Sequence, residues 1–393
     1  MASSDFYIAD NSDMENKKLE AARNHYMTGD YQSALKLYLS LLNTNISYKL
    51  YHRIGKCYYK MGDINQAEEF FRKSIGLESV ENPSYYYLGN ICYKREDLKS
   101  AIYYWCCAFA YKPEDEIISM NLATSYFSRN MKFQSVYYYE KFLKYAKDKG
   151  DAYKAIKISI DKCNQVGNEF LQKAKHSLYR KDNKSALEFL NFAVKNQPVN
   201  YDINYLLGTT YMAENDHMHA LVYLKQAYCL DNKSLDVLKS LASVYISIGD
   251  YTAAYCTMRR LLPLVINNQQ EYLRNMKIIK ELDSSFDELS FQGHLEWGDR
   301  YYEENNYHLA LFEYENCSIM KETMQEELSD KIERLRSFIN PEIRIIKTSL
   351  DRGSKLLEKN DFKNANKYFS KVMLLSGEDS SEYKLAKSKM VNA

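Results

Sequence analysis

Glycine and proline are scarce in this chain, 13 and 5 among 393 residues. Both interrupt helices, so their scarcity excludes a loop-rich or collagen-like chain and points to a molecule that is mostly helix. An excess of one charge is missing too. Fifty-three Lys and Arg against 52 Asp and Glu leave a net charge of +1, which argues against a general nucleic-acid binder, whose affinity rests on neutralising phosphates. No stretch approaches the roughly 20 apolar residues of a membrane span. The opening residues MASSDFYIADNSDMENKK have neither the basic nor the apolar region of a secretory signal. The chain is expected to be cytoplasmic, without direct membrane insertion.

Catalytic motifs are also absent. There is no Gly-rich phosphate loop, H-E-x-x-H or G-x-S-x-G. His217 and His219 flank Met218 with no third ligand at metal spacing, and the pair reads as a solvated turn. The eight cysteines contain no C-x-x-C, and the one adjacent pair, Cys106 and Cys107, would point in different directions on a helix. Reduced, packed thiols are expected. No catalytic residue, cofactor or metal is expected, and the chain reads as a non-enzyme.

Against these absences stand 37 tyrosines and a recurring punctuation. Gly29-Asp30-Tyr31, Gly62-Asp63-Ile64 and Gly249-Asp250-Tyr251 each precede an alanine by three residues: Ala34, Ala67 and Ala254. Glycine ends a helix in the left-handed conformation and aspartate caps the next, so each site predicts one helix turning back on another. Where the turn lacks glycine, Asn130, Asn305 and Asn360 are the next-best left-handed residues.

Aligning on the alanines gives a period of 34 residues. Counting Tyr48 as position 1, Tyr51, Ile54, Gly55 and Tyr58 fall at helical spacing on a first helix, and Ala67 and Phe71 on a second. Further units carry Tyr85, Leu88, Gly89, Ala101 and Trp105; Leu207, Gly208, Tyr211 and Ala220; and Trp297, Gly298, Tyr301 and Ala310. This pattern resembles the tetratricopeptide repeat (TPR) family. The resemblance implies an all-α, right-handed α-α superhelical solenoid of about nine hairpins, with Trp105 and Trp297 inside it. Units begin at 15, 48, 82, 116, 167, 201, 235, 291 and 346.

The period is broken three times by segments with helical spacing and no breakers. The expected order is a disordered tail at 1–14, units one to four at 15–149 and an inserted helix at 150–166. Units five to seven follow at 167–268, then a second inserted helix at 269–290, unit eight at 291–324 and a third inserted helix at 325–345. Unit nine takes 346–379 and a cap helix 380–393.

In the family, the outward positions of each first helix line a concave groove. Here they are Lys49, His52, Arg53, Lys56 and Lys60 in the second unit and Tyr86, Tyr87, Asn90, Tyr93 and Lys94 in the third. The fourth adds Met120, Asn121 and Phe127. Such a surface would suit an acidic protein or peptide segment with aromatic or apolar residues. An acidic end, Glu296, Asp299, Glu303, Asp351 and Glu358, has the opposite sign, an arrangement that would also suit head-to-tail self-association.

The resemblance therefore implies an interaction scaffold or adaptor binding a protein segment in its groove. The alternative is a structural subunit of a larger secretion or motility assembly. A peptide-sensing regulator is disfavoured because no separate DNA-binding helix-turn-helix is visible, and a carboxylate-clamping co-chaperone because, although Lys49 and Arg53 match one clamp pair of the family, Leu19 and Arg23 stand where Lys and Asn would be needed.

Overall fold

The computed structural model describes residues 3–44, 46–78, 82–147, 149–283, 288–320 and 326–390. Among them there is no strand. The chain divides into two compact units, Met1–Pro113 and Glu114–Ala393, and the fold is of the all-α hairpin solenoid class.

The first unit contains α1 (Ser3–Met27), α2 (Tyr31–Leu41), α3 (Tyr48–Met61), α4 (Ile64–Leu77), α5 (Ser84–Lys94) and α6 (Leu98–Tyr111). These pair as α1–α2, α3–α4 and α5–α6, and the hairpins stack through α2 on α3 and α4 on α5.

The second unit begins with the pairs α7 (Glu116–Ser128) and α8 (Lys132–Tyr145), α9 (Asp151–Tyr179) and α10 (Asn183–Asn196), and α11 (Tyr201–Ala213) and α12 (His217–Leu230). A fourth pair is α13 (Leu235–Ile248) and α14 (Tyr251–Leu261), after which come a 3-10 turn, Leu262–Val265, and α15 (Gln269–Asp283). Then α16 (Glu288–Glu303) pairs with α17 (Tyr307–Met320), α18 (Glu326–Ile339) packs on α17, and α19 (Pro341–Glu358) pairs with α20 (Phe362–Leu375), on which α21 (Ser381–Lys389) packs.

Local chemistry explains the hairpins. At each turn one residue takes a left-handed conformation: Gly29, Gly62 and Gly249 near +85°, and Asn130, Asn215, Asn305 and Asn360 near +60°. Glu96 and Lys181 take the same conformation, where a Cβ and carbonyl crowd each other. Asp30, Asp63, Asp97, Asp182, Asp216, Asp250 and Asp361 then cap the second helix by accepting from the backbone N–H three residues on. Inside the hairpin, a Cβ built on Gly89 would lie 2.4 Å from the Trp105 ring, and one on Gly353 2.8 Å from Phe369. Glycine at this position is what lets a large ring of the second helix rest on the first.

Several sequence expectations are corrected. Residues 3–14 belong to α1: with no glycine or proline between Ser3 and Met27, nothing in the chain stops the helix. The segment 150–166 is the first half of the continuous 29-residue α9, because no breaker separates it from unit five. In the segment 269–290, α15 and the start of α16 flank residues 284–287, which lie outside the described residues, as does residue 325 at the start of the third insert. Trp105 is buried, but Trp297 is 46% exposed. The helix after its hairpin, α18, packs on α17, so the Trp297 side of α16 is left open.

The second unit also returns on itself. The Tyr126 hydroxyl donates to the Asn305 carbonyl at 3.0 Å, and Arg129 to the Asn305 side chain at 2.6 Å. Gln134 donates to Asn306 at 2.8 Å, and the Tyr137 hydroxyl to the Ile339 carbonyl at 2.7 Å. An ion pair joins Lys141 to Glu342. Its first hairpin is thereby fastened to the α16–α17 turn and to α18 and α19, more than a hundred residues later in the chain.

Candidate interaction surface

In the first unit the sequence-selected residues lie on α3 and α5, and they divide into two groups. One is drawn into packing between hairpins. Tyr87 stacks on Phe71 with ring centroids 4.9 Å apart and meets Tyr59 edge-on at 5.3 Å. The His52 ring lies 5.6 Å from Tyr87 and 5.8 Å from Phe71, with Nδ1 2.9 Å from the Ser84 hydroxyl. Burial, helped by Lys56 and Arg53, pushes the His52 pKa down to about 3, so the ring is neutral. Asn90 accepts from the Trp105 indole at 3.1 Å. Lys56 lies 4.6 Å from the Tyr26 ring centroid, and burial lowers its pKa.

The other group faces solvent. Lys49, Lys60, Tyr93 and Lys94 are exposed, and Arg53 and Tyr86 are half-buried. Lys94 sits 4.9 Å from the Tyr59 ring centroid, a cation–π distance, and Tyr93 leans on Trp105 at 5.5 Å. Lys49 and Arg53 line a cleft of about 330 Å³ closed on its other side by Glu15, Asn16 and Leu19 of α1.

In the second unit, Met120 and Asn121 are half-buried on α7, and Phe127 is 67% exposed. The acidic residues are distributed over two helices. On α16, Asp299 pairs with Lys331 at 3.1 Å and accepts from the Tyr314 hydroxyl at 2.6 Å, while Glu296 and Glu303 are exposed. On α19, Asp351 pairs with Lys355 at 2.8 Å, and Glu358 is exposed. Asp299 and Asp351 are thus engaged in surface ion pairs within the chain.

A charged cluster that sequence reasoning missed lies deep in the second unit. The Glu313 carboxylate, 1% exposed, receives Lys225 Nζ at 2.5 Å and His294 Nδ1 at 2.5 Å. His294 Nε2 is 3.4 Å from Asp250, which caps α14 and also accepts from Ser290. Burial favours the neutral forms, but the mutual attraction outweighs it: Glu313 and Asp250 are held below the usual carboxylate range and His294 is raised. Glu313 takes hydrogen bonds from both cations, while His294 Nε2 faces Asp250 at ion-pair distance without a hydrogen bond, and the groups bind α12, α14, α16 and α17 together. A signal was present. His294 occupies the register position that is Tyr51, Tyr85 and Leu238 elsewhere, and Glu313 interrupts the apolar run of α17.

His219 pairs with Asp216 at 2.7 Å at the start of α12, and the eight cysteines are free thiols, with Cys163 the exposed one. Among the described residues, no group of three His, Cys, Asp or Glu is placed to hold a metal, and no helix is long and apolar enough to cross a membrane.

The hairpin with the fullest set of these features, α3–α4, is also where comparison with known families is informative: a family model of the tetratricopeptide repeat matches residues 48–80. Over this hairpin the chain is similar to a tetratricopeptide repeat. Similar solved structures include the TPR domain of P58(IPK), at 15% identity over 96% of this chain and 97% of that one, with a TM-score of 0.28. The TPR2AB domain of yeast Sti1, solved as a pHSP90 complex, is 13% identical over 69% of this chain and 99% of its own, TM-score 0.29. Pseudomonas aeruginosa PilF is 16% identical over 58% and 96%, TM-score 0.31. Repeats of this kind serve in general as protein-interaction modules, each presenting side chains from a rigid helical frame.

Proposed function

We propose that this repeat protein is a non-enzymatic scaffold that binds an acidic protein segment on the first-helix face of its N-terminal unit. The observation that carries the reading is the exposed set Lys49, Lys60, Lys94 and Tyr93, presented by α3 and α5. Beneath it, His52, Tyr87 and Phe71 pack on one another and Trp105 supports Tyr93, so the cations stand on rigid helices rather than on loops. Lys49 and Arg53 would take ligand carboxylates at the α1–α3 cleft, while Tyr93 and Tyr86 would cover apolar groups. Such surface pairs govern encounter and register more than total affinity.

The test is affinity capture from the native source with the wild-type chain and with a Lys49→Glu/Arg53→Glu variant whose helicity is unchanged. We expect the partner recovered by the wild type to be lost by the variant, and lost progressively at rising salt. Equal recovery by both chains would remove this face as the binding surface.

A further inference from the structure

Where the second unit returns on itself, a cavity of about 610 Å³ opens among the second helices of its hairpins. Its walls are the α7–α8 turn with the start of α8, the end of α10, one side of α12 and the start of α17. The bonds of Arg129 to Asn305 and of Gln134 to Asn306 hold those walls together. The cavity therefore exists because the chain comes back, and it is built from other helices than the basic face of the first unit. Its volume falls in the range of small-molecule sites, roughly 300–1,000 Å³.

The unusual wall residue is His308, only 7% exposed and held edge-on by Phe133 at 5.5 Å and Tyr137 at 5.2 Å between ring centroids. Burial, helped by Lys141, pushes its pKa down to about 4, so at neutral pH the ring carries one donor and one acceptor nitrogen. Among the described residues neither nitrogen has a hydrogen-bond partner, and neither is sealed from the cavity. Gln226 faces the same space from α12, half-buried and likewise without a side-chain hydrogen bond. Polar groups set this deep are normally matched, and a site that matches them through a ligand discriminates strongly for that ligand. Charge narrows the choice. Lys132 and Lys195 are exposed at the cavity and have no ion-pair partner among the described residues. Arg129 is fixed by the neutral Asn305 side chain, so its charge is uncompensated as well. Glu304, the carboxylate in the wall, is taken up by Arg300 at 3.3 Å.

We propose that this cavity binds a phosphate monoester of a small polar organic molecule. The dianionic phosphate pairs with Lys132, Lys195 and Arg129, and hydroxyl or amide groups of the organic body hydrogen-bond to His308 and Gln226. Two unpaired lysines beside an uncompensated guanidinium suit a dianion better than a single carboxylate. Ligand binding by the second unit goes beyond the segment binding of the first and does not depend on it.

The probes are glucose-6-phosphate and adenosine monophosphate, titrated into the full chain carrying carbon-13 histidine, with inorganic phosphate, glucose and adenosine as controls. The readout is the His308 ring Cε1–H resonance, assigned by its loss in His308→Phe, which keeps an aromatic ring beside Phe133 and Tyr137. At least one ester is expected to move this resonance saturably, and which one responds distinguishes a sugar phosphate from a nucleotide. Phosphate alone and the bare organic body should bind at least about tenfold more weakly than the ester. By calorimetry, Lys132→Ala/Lys195→Ala and His308→Phe should each weaken the ester by about tenfold. The lysine variant changes exposed side chains only, so its urea unfolding should match the wild type and its loss of affinity reports the site. A resonance unmoved by both esters at millimolar concentration, equal binding of inorganic phosphate or of the bare body, or full affinity in either variant would each overturn the proposal. The Lys49→Glu/Arg53→Glu chain should keep the response, and losing it would refute a site independent of the first unit.

Discussion

The two units of this protein are made from the same hairpin and held together differently. In Met1–Pro113 the 34-residue register runs unbroken, aromatic rings fill the joints between hairpins, and the ion pairs of Glu68 with Arg72 and Arg95 and of Glu69 with Lys73 lie at the surface. In Glu114–Ala393 the register is interrupted, and polar groups occupy interior positions: the Lys225–Glu313–His294–Asp250 cluster and the Tyr126, Gln134 and Tyr137 bonds to distant segments. A regular array needs only neighbour-to-neighbour contacts, each burying the apolar face of the next. Once a half-repeat such as α15 enters, the neighbours no longer match by period. Specific polar partners then hold the helices in place, and they do so only while every partner is present.

The largest test of that contrast is Glu313→Ala. It leaves Lys225 and His294 buried without their carboxylate, and we expect a loss of about 3–5 kcal/mol in the second unit, the usual result of breaking a buried pair from one side. The chain has two tryptophans, one per unit. Trp297 fluorescence during urea unfolding of a Trp105→Phe chain follows the second unit, and Trp105 fluorescence in a Trp297→Phe chain follows the first. A loss under about 1 kcal/mol would mean that the cluster is solvated and the contrast between the units is superficial.

A smaller effect separates the units by pH. His52 has a folded pKa of about 3, below its ordinary value. The unfolded chain therefore binds a proton that the fold rejects, and this contribution to stability is present at neutral pH and lost as pH falls from about 6.5 towards 3, at no more than about 1.4 kcal/mol per pH unit. In the second unit, burial gives His308 the same direction, to about 4. His294, raised by its carboxylates, goes the other way, its contribution being complete below the unfolded value and lost as pH rises through the folded one. Acidification from pH 7 to 5 should lower the Trp105-reported stability more than the Trp297-reported one, and His52→Phe should flatten the former. Parallel losses in both units would contradict this assignment.

The smallest expected change tests the local rule that both units share. Glu96 holds a left-handed conformation at φ +61°, so Glu96→Gly should stabilise the first unit by about 1 kcal/mol, while Gly62→Ala should destabilise it by a similar amount. Trp105-reported unfolding measures both, and a neutral Glu96→Gly would mean that side-chain contacts of Glu96 compensate the strain.

Much of the surface in the first unit was legible because the repeat register assigns each side chain a direction. Lys49, Lys60, Tyr93 and Lys94 are exposed on that basis. Register alone could not say that the outward positions of His52 and Tyr87 would be closed over by the next hairpin, since that depends on how tightly Phe71 draws α3 and α5 together. The same limit explains Trp297: an interior position is interior only if a helix arrives to cover it.

The amino-acid sequence by itself determined the hairpins. Glycine or asparagine in the left-handed region, aspartate at the cap, and glycine under a large ring act within one repeat length, so they can be read residue by residue. Which hairpins meet across long intervals was decided only by tertiary structure. The fastening of Tyr126 to Asn305 and of Lys141 to Glu342, and the closing of Glu313 around Lys225 and His294, join helices whose separation in sequence carries no periodic mark. Their partners are set by where the interrupted stack brings the chain back, and burial then makes each polar group depend on the other.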